Sequence, residues 1–158
     1  MLEHRIGGLE KQDITGNVSY DPDNHHRMTM LRAAKVAGIV DDIPDLQVAG
    51  PSDGDLLILG WGSTYGPIRS AVERLQARGK SVAHAHLRHL NPMPRNTGEV
   101  ISSYRRVLVP ENNLGQLLFL VRAKFLVPAE GLNLVRGKPF RISEIEEKAD
   151  EMLTGVPA

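Results

Sequence analysis

The sequence predicts an α/β domain, a mainly parallel sheet with helices on both faces. Three observations predict it. Short apolar runs bounded by turn residues alternate with stretches of helical period along most of the chain. One apolar strand, Leu56-Leu-Ile-Leu-Gly60, runs straight into Trp61-Gly-Ser-Thr64 and then a helix start. Finally, 158 residues at 41% hydrophobic content suffice for one domain with a real core and leave room for an appended arm.

The elements follow in order. Residues 1–24 hold the turn formers Gly7, Gly8, Gly16, Asp21 and Pro22 and almost no apolar period. They read as a tail or linker cut from something larger, or as a disordered terminus. A helix starts at Asp21, a capping residue, with Pro22 in its first turn. Met28, Leu31, Ala34 and Val36 or Ala37 form its apolar side, and Gly38 lies near its end. Asp41-Asp-Ile-Pro44 breaks the chain, 46–48 is a short strand, and Gly50–Gly54 is a turn. The strand to Gly60 leads to a helix over 66–78, opened by Pro67, with Ile68, Ala71, Val72 and Leu75 on one face and Gly79 as its stop. A strand over 80–87, a loop through Pro92 and Pro94, a short helix around 96–103 and a strand over 105–109 come next. The pattern then predicts a helix over 113–126, a strand over 132–135, and a last helix from Ser143 to about Leu153. Ser143 and Glu146 have the spacing of a capping box there, and Gly155 closes the helix.

Composition excludes several function classes. Nineteen basic and nineteen acidic residues balance, which argues against general nucleic-acid binding. The chain has no cysteine, so disulfides, thiolate catalysis and cysteine-ligated iron–sulfur clusters are outside its means. No apolar run approaches the ~20 residues of a membrane span, and the start lacks an apolar signal core. A cytoplasmic protein is the expectation.

In open α/β sheets, ligands sit beyond the carboxyl ends of strands where strand order reverses. Three loops follow such ends, 60–65, 87–95 and 110–116. Gly60, Gly62, Ser63 and Thr64 offer close backbone approach and hydroxyls to a phosphate or carboxylate; equally, Ser63 or Thr64 caps the following helix. Glu111-Asn112-Asn113-Leu114-Gly115-Gln116 makes a second corner, with Asn112 or Asn113 as cap and Glu111 as an acid/base, hydrogen-bonding or subunit-contact carboxylate. Gly115 in a helix's first turn costs about 1 kcal/mol against Ala, which suggests close packing on the backbone. Arg88 and Arg95 flank the middle loop and could clamp an anion. His84 and His86 share one strand face with His89 beyond, but no fourth ligand has convincing spacing for zinc. Leu117, Leu118, Phe119, Leu120, Val121 and Phe125 make helix 113–126 apolar on more than one side, for burial and a subunit contact.

Four stretches taken together resemble the carboxyl-terminal part of the alpha subunit of 2-oxoacid:ferredoxin oxidoreductases, the 2-oxoglutarate type in particular. They are His4–Lys11 with Thr15–Pro22, Leu59–Gly66, His86–Pro94 and Val109–Leu117. The resemblance covers nearly all of the chain, with Asn113 and Leu114 at positions where members vary. It implies oxidative decarboxylation of a 2-oxoacid with thiamine diphosphate, transfer of the acyl group to coenzyme A, and electrons passed to ferredoxin through an iron–sulfur cluster. It also implies a three-layer α/β/α fold like the transketolase carboxyl-terminal domain: five strands in order 1-3-2-4-5, the first antiparallel. On that fold, residues 1–42 are the end of an upstream thiamine-side domain with a connecting helix, and 43–158 are the transketolase-like domain.

The same resemblance implies that this chain binds no cofactor alone. Thiamine diphosphate, Mg2+ and the cluster belong to the intact enzyme, with coenzyme A as co-substrate. The implied partners are a beta subunit, ferredoxin through the complex, and a second copy of the alpha–beta unit; no nucleic acid and no membrane. Gly60, Gly62, Ser63, Thr64, Arg88, Glu111, Asn112, Gly115 and Gln116 are the expected cofactor-binding residues, with no catalytic residue and no metal ligand. A single cleft is expected over all three loops. Gly16, Asn17 and Tyr20 are expected near the substrate channel. The alternatives are a free-standing flavodoxin-like nucleotide- or flavin-binding module and a pure subunit-interaction module.

Overall fold

The computed structural model describes residues 8–155; His4 to Gly7 of the first family-like stretch lie outside them. The chain divides into two compact units, one ending at Ile43 and one beginning at Pro44.

In the first unit, helix α1 spans Pro22–Gly38. Asp21 caps it by accepting the Asp23 N–H at 2.9 Å, as the residue type demands. The segment before it forms a turn, closed by the Gln12 N–H donating to Asn17 O at 2.7 Å, with an antiparallel bridge from Lys11 to Val18. Arg32 on α1 donates to both oxygens of Glu10 at 3.1 and 2.9 Å, and His25 adds a contact at 2.8 Å. The Arg32 hydrogen bonds, helped by the Lys11 N–H, hold the Glu10 carboxyl at about 2. The irregular segment is pinned to α1 by this carboxylate together with the Asp13–Arg27 ion pair at 2.7 Å and Asn24, which accepts from the Asp13 N–H at 3.2 Å and donates to the Lys11 carbonyl at 2.9 Å. No residue of α1 is buried; of its expected apolar side, Met28 is half-buried and Leu31 exposed.

The second unit is a five-stranded sheet in the order β1-β3-β2-β4-β5. The strands are β1 (Val48–Ala49), β2 (Gly54–Trp61), β3 (Val82–Leu87), β4 (Tyr104–Glu111) and β5 (Glu130–Asn133). Only the β1–β3 pairing is antiparallel. This is the order and polarity the resemblance implied. The helices are α2 (Tyr65–Ala77), α3 (Thr97–Ser102), α4 (Gln116–Phe125) and α5 (Ile142–Thr154). Leu57, Leu59, Ala83, Ala85, Val107 and Val109 pack with Leu117 and Val121 of α4 on one face. Leu56, Ile58, Val82 and Leu108 pack with Ile68, Val72 and Leu75 of α2 and Ile145 and Met152 of α5 on the other. A central strand buried on both faces reads as a continuous apolar run, and Leu56, Leu57, Ile58 and Leu59 are all fully buried.

The structure corrects several boundaries; the last strand is Glu130–Asn133, not 132–135. The first strand is Val48–Ala49, not 46–48. Leu46 is paired with a side chain instead: its N–H donates to Asn96 Oδ1 at 2.8 Å, and Asn96 Nδ2 donates to its carbonyl at 3.0 Å. Helix α4 begins at Gln116, not 113, because Gly115 is left-handed at φ 96°. Helix α5 begins at Ile142, and Ser143–Glu146 is not its capping pair. Glu144 reaches back to the Arg141 N–H at 2.9 Å, while Glu146 turns toward Arg74 of α2 and Arg78 at its C-cap, at 3.8 and 3.5 Å.

Helices α2 and α5 therefore meet through a buried apolar seam rimmed by exposed ion pairs. The seam should dominate. Ile145→Ala is expected to lower the unfolding free energy by about 2–5 kcal/mol and Arg78→Ala by less than about 1 kcal/mol, read by urea denaturation. The opposite ranking would mean that the ion pairs hold α5.

Candidate functional site

The chain leaves β2 for β3 on one side and then crosses to β4 on the other. The order reversal lies between the carboxyl ends of β2 and β4, where α/β sheets open a crevice. There the structure has a cavity of about 250 Å3 lined by Trp61, Gly62, Ser63, Thr64, Asn112 and Asn113.

Glu111, the last residue of β4, lies beneath this cavity and is 0% exposed. Its Oε1 accepts from the Trp61 indole at 3.1 Å, Asn113 Nδ2 at 3.1 Å and the Leu117 N–H at 2.8 Å, and its Oε2 accepts from the Leu118 N–H at 3.0 Å. The N–H groups of a first helical turn have no partner within the helix. Here two of them are met by a carboxylate, on the electropositive end of α4. Asn113 Oδ1 accepts from Gly115 and Gln116 at 2.7 and 3.0 Å, so of the two candidate caps Asn113 is the one used. Glu111 is a hydrogen-bonding carboxylate.

The glycines divide by purpose. A Cβ on Gly60 would meet Ile68 Cδ1 at 2.6 Å and both His86 Nδ1 and Thr64 Oγ1 at 3.1 Å. The close approach at Gly60 is thus made by the protein's own α2 and β3. Gly62 has open space around it and a left-handed φ of 58°, which favours glycine. Gly115 precedes α4, and a Cβ there would contact Asn133 Nδ2 at 3.4 Å. Thr64 is not a side-chain cap of α2: its hydroxyl accepts the Trp61 N–H at 3.2 Å and donates to the Trp61 carbonyl at 2.8 Å. Ser63 is exposed. Asn112 Oδ1 is buried without a hydrogen-bond partner, an acceptor left open in the crevice wall.

The three loops do not share one cleft. Arg88 lines a separate cavity of about 430 Å3 with Asp45, Leu46, Tyr65, His84 and His86. The structure thus brings Gly62, Ser63, Thr64 and Asn112 together over Glu111, places Gly60, Gly115 and Gln116 in the supporting frame, and sets Arg88 apart. Sequence reasoning missed Trp61 as the tie between the two loops and Tyr65 as the ring beside the histidines. A lone Trp after a strand is a signal only once Glu111 is known to face it. Among the described residues, no group of three or more His, Cys, Asp or Glu side chains is placed to hold a metal ion. No described helix is long and apolar enough to cross a membrane.

Burial, then the neighbouring His86 and Arg69, depresses His84 to about 4. An unfolded histidine titrates near 6.5, so between these values the unfolded chain binds the extra proton. This contribution to stability is complete above about pH 6.5 and is lost as pH falls toward 4; His84→Asn should flatten that part of the profile in urea titrations. Separately, Glu111→Gln puts an NH2 among four donors and should cost about 1–3 kcal/mol, with faster hydrogen exchange at the Leu117 and Leu118 amides.

No protein-family model matches the chain. It is 52% identical over 145 residues to 2-oxoglutarate oxidoreductase subunit KorA of Mycobacterium tuberculosis, which covers 91% of this chain and 22% of that protein. It is 35% identical over 114 residues to 2-oxoacid:ferredoxin oxidoreductase 1, subunit alpha, of Aeropyrum pernix, covering 68% of this chain and 18% of that one. Among solved structures it is similar to 2-oxoglutarate:ferredoxin oxidoreductase from Magnetococcus marinus with 2-oxoglutarate, coenzyme A and succinyl-CoA bound. That match has a TM-score of 0.86 and 32% identity, over 96% of this chain and 27% of that one. The chain therefore spans about a fifth of the length of the curated relatives it matches.

Proposed function

This chain is homologous to the alpha subunits of 2-oxoacid:ferredoxin oxidoreductases and matches their carboxyl-terminal part, and from that premise we propose that it supports coenzyme A-dependent oxidative decarboxylation of a 2-oxoacid, 2-oxoglutarate first among them. The crevice between the ends of β2 and β4 carries this reading. Its floor is preformed by Glu111, its wall holds the exposed Ser63, and the buried Asn112 Oδ1 waits for an N–H or O–H donor. Coenzyme A supplies such donors in its pantetheine amides and adenine amino group.

The residues present do not fit the iron–sulfur cluster of this chemistry. With no cysteine, the chain cannot ligate a cysteine-bound iron–sulfur cluster. A diphosphate-bound Mg2+ takes oxygen donors, one or two carboxylates with the phosphates themselves, and this reading places it with thiamine diphosphate in the rest of the enzyme. Decarboxylation and electron transfer to ferredoxin are therefore assigned to other parts of a cytoplasmic alpha–beta assembly. In that assembly this domain forms one wall of the coenzyme A path, with Gly16, Asn17 and Tyr20 of the first unit near the substrate channel.

Assembly has its own surface. Leu117 and Val121 of α4 face the core, while Phe119 is 79% exposed, with Leu114 at 90% and Leu126 at 86% beside its ends. An exposed apolar face of this kind suits a subunit contact, here with the beta subunit or a second alpha–beta unit.

Titration of coenzyme A into the chain by calorimetry tests the reading. Binding is expected, weakened about tenfold by Asn112→Ala through loss of one hydrogen bond, with no turnover of 2-oxoglutarate until the remaining enzyme parts are added. Turnover by the 158 residues alone would overturn it. Unchanged affinity in Asn112→Ala and Ser63→Ala, with assembly lost in Phe119→Asp, would favour a pure interaction module.

A further inference from the structure

The larger cavity, beside the edge strand, has no part in the reading above. At about 430 Å3 it has the size of a small-molecule site. His84 and His86 stand at alternate positions of β3 and form its inner wall with Tyr65, whose ring centroid lies 5.4 and 5.0 Å from theirs. His84 is 3% exposed, and its Nε2 has no hydrogen-bond partner; neither has the buried Nδ1 of His86. Two orphaned imidazole nitrogens in one wall are costly unless something else meets them.

Two arginines and two carboxylates surround them. Arg88, directly after β3, lines the same cavity. Arg69 of α2 lines an adjoining space of about 180 Å3 that shares His84 as its wall. Arg69 donates to the Tyr65 hydroxyl and to Glu73, both at 2.9 Å, so Glu73 is already paired. Asp45 and His89 contribute from the exposed rim. Burial, then His86 and Arg69, lowers His84 to about 4, and burial, then Arg88, lowers His86 against a raising hydrogen bond with the Gly62 backbone. The rest of the lining is apolar, Pro44, Leu46, Val48, Ala49 and Pro94, apart from Gln47.

We propose that this cavity binds the oxyanion of a small molecule, a phosphate or carboxylate group, between Arg88 and the His84–His86 pair, with its carbon portion against the apolar wall. A guanidinium is the side chain best shaped for such a group. The imidazoles complete the site as N–H donors. An anion there offsets the repulsion from Arg69 and Arg88, so binding draws a proton from solvent onto the pair. Affinity therefore rises as pH falls. This inference is independent of the oxidoreductase reading, since it concerns a different cavity.

Sulfate is a suitable tetrahedral probe because its charge is constant from mild acid to neutrality. Histidine-ring NMR of the full chain, titrated with sulfate or with acetate, reads the site directly. Saturating anion is expected to shift the His84 and His86 ring resonances and raise their titration midpoints by about one unit, a tenfold change in protonation. Apparent affinity should increase up to about tenfold per pH unit on acidification. Arg88→Gln, at an exposed position that folding does not need, should weaken binding about tenfold. A response to sulfate assigns a phosphate-type ligand, and a response to acetate alone assigns a carboxylate. No response of His84 and His86 to either ion, or the same response in Arg88→Gln, overturns the proposal.

Discussion

The second unit depends on one buried carboxylate. Glu111 ends β4 inside the protein, where an unpaired charge would be prohibitive. It is tolerated because four N–H groups converge on it: the Trp61 indole, the Asn113 amide and the first free amides of α4. Each donor is one that would otherwise lack a partner, so a single side chain satisfies a helix start, a turn and an indole together. The electropositive end of α4 adds to the balance. The loops after β2 and β4 are thereby fastened to each other, and the crevice between them exists before any ligand arrives.

That arrangement also shapes what the sheet can do. Its central strands are covered on both faces, so chemistry is confined to the strand ends and to the edge. At the edge, β1 is only two residues long and antiparallel. The segment before it is held by Asn96, which mimics a strand partner for Leu46. Between this edge and α2 the sheet face is not filled by apolar side chains. His84, His86 and Tyr65 stand there instead, beside Arg88. The two openings differ in character: the crevice over Glu111 presents small polar groups and a lone acceptor, whereas the edge cavity presents cations and imidazoles.

The exposed side of α4 belongs to the same logic. A helix needs one apolar face to cover a sheet, and Leu117 and Val121 supply it. Phe119, Leu114 and Leu126 add apolar area that this unit does not use. A domain matching about a fifth of its relatives' length is expected to show such surface where the rest of the protein would sit.

Much of this was legible in the residues themselves. Asp21 before Pro22, the period of Ile68, Ala71, Val72 and Leu75, and the apolar run from Leu56 to Leu59 determine their elements by local rules, because their partners lie within a turn or in the strand's own alternation. The family-like stretches carried the strand order as well. What the tertiary structure alone decided were the matters with partners far along the chain. Gly60 is small for the sake of Ile68 and His86; Gly115 is left-handed so that α4 can begin over Glu111; Thr64 is spent on Trp61 and not on a cap. Ser143 and Glu146 have capping spacing, yet Glu146 is drawn to α2. Likewise the loop carrying Arg88 parted from the other two, because the edge strand and α2 enclose it separately. Sequence by itself determined which residues could make strands, helices and polar corners. Only three-dimensional packing decided which polar groups found one another, since hydrogen-bond satisfaction in a buried interior is settled by neighbours in space and not by neighbours in sequence.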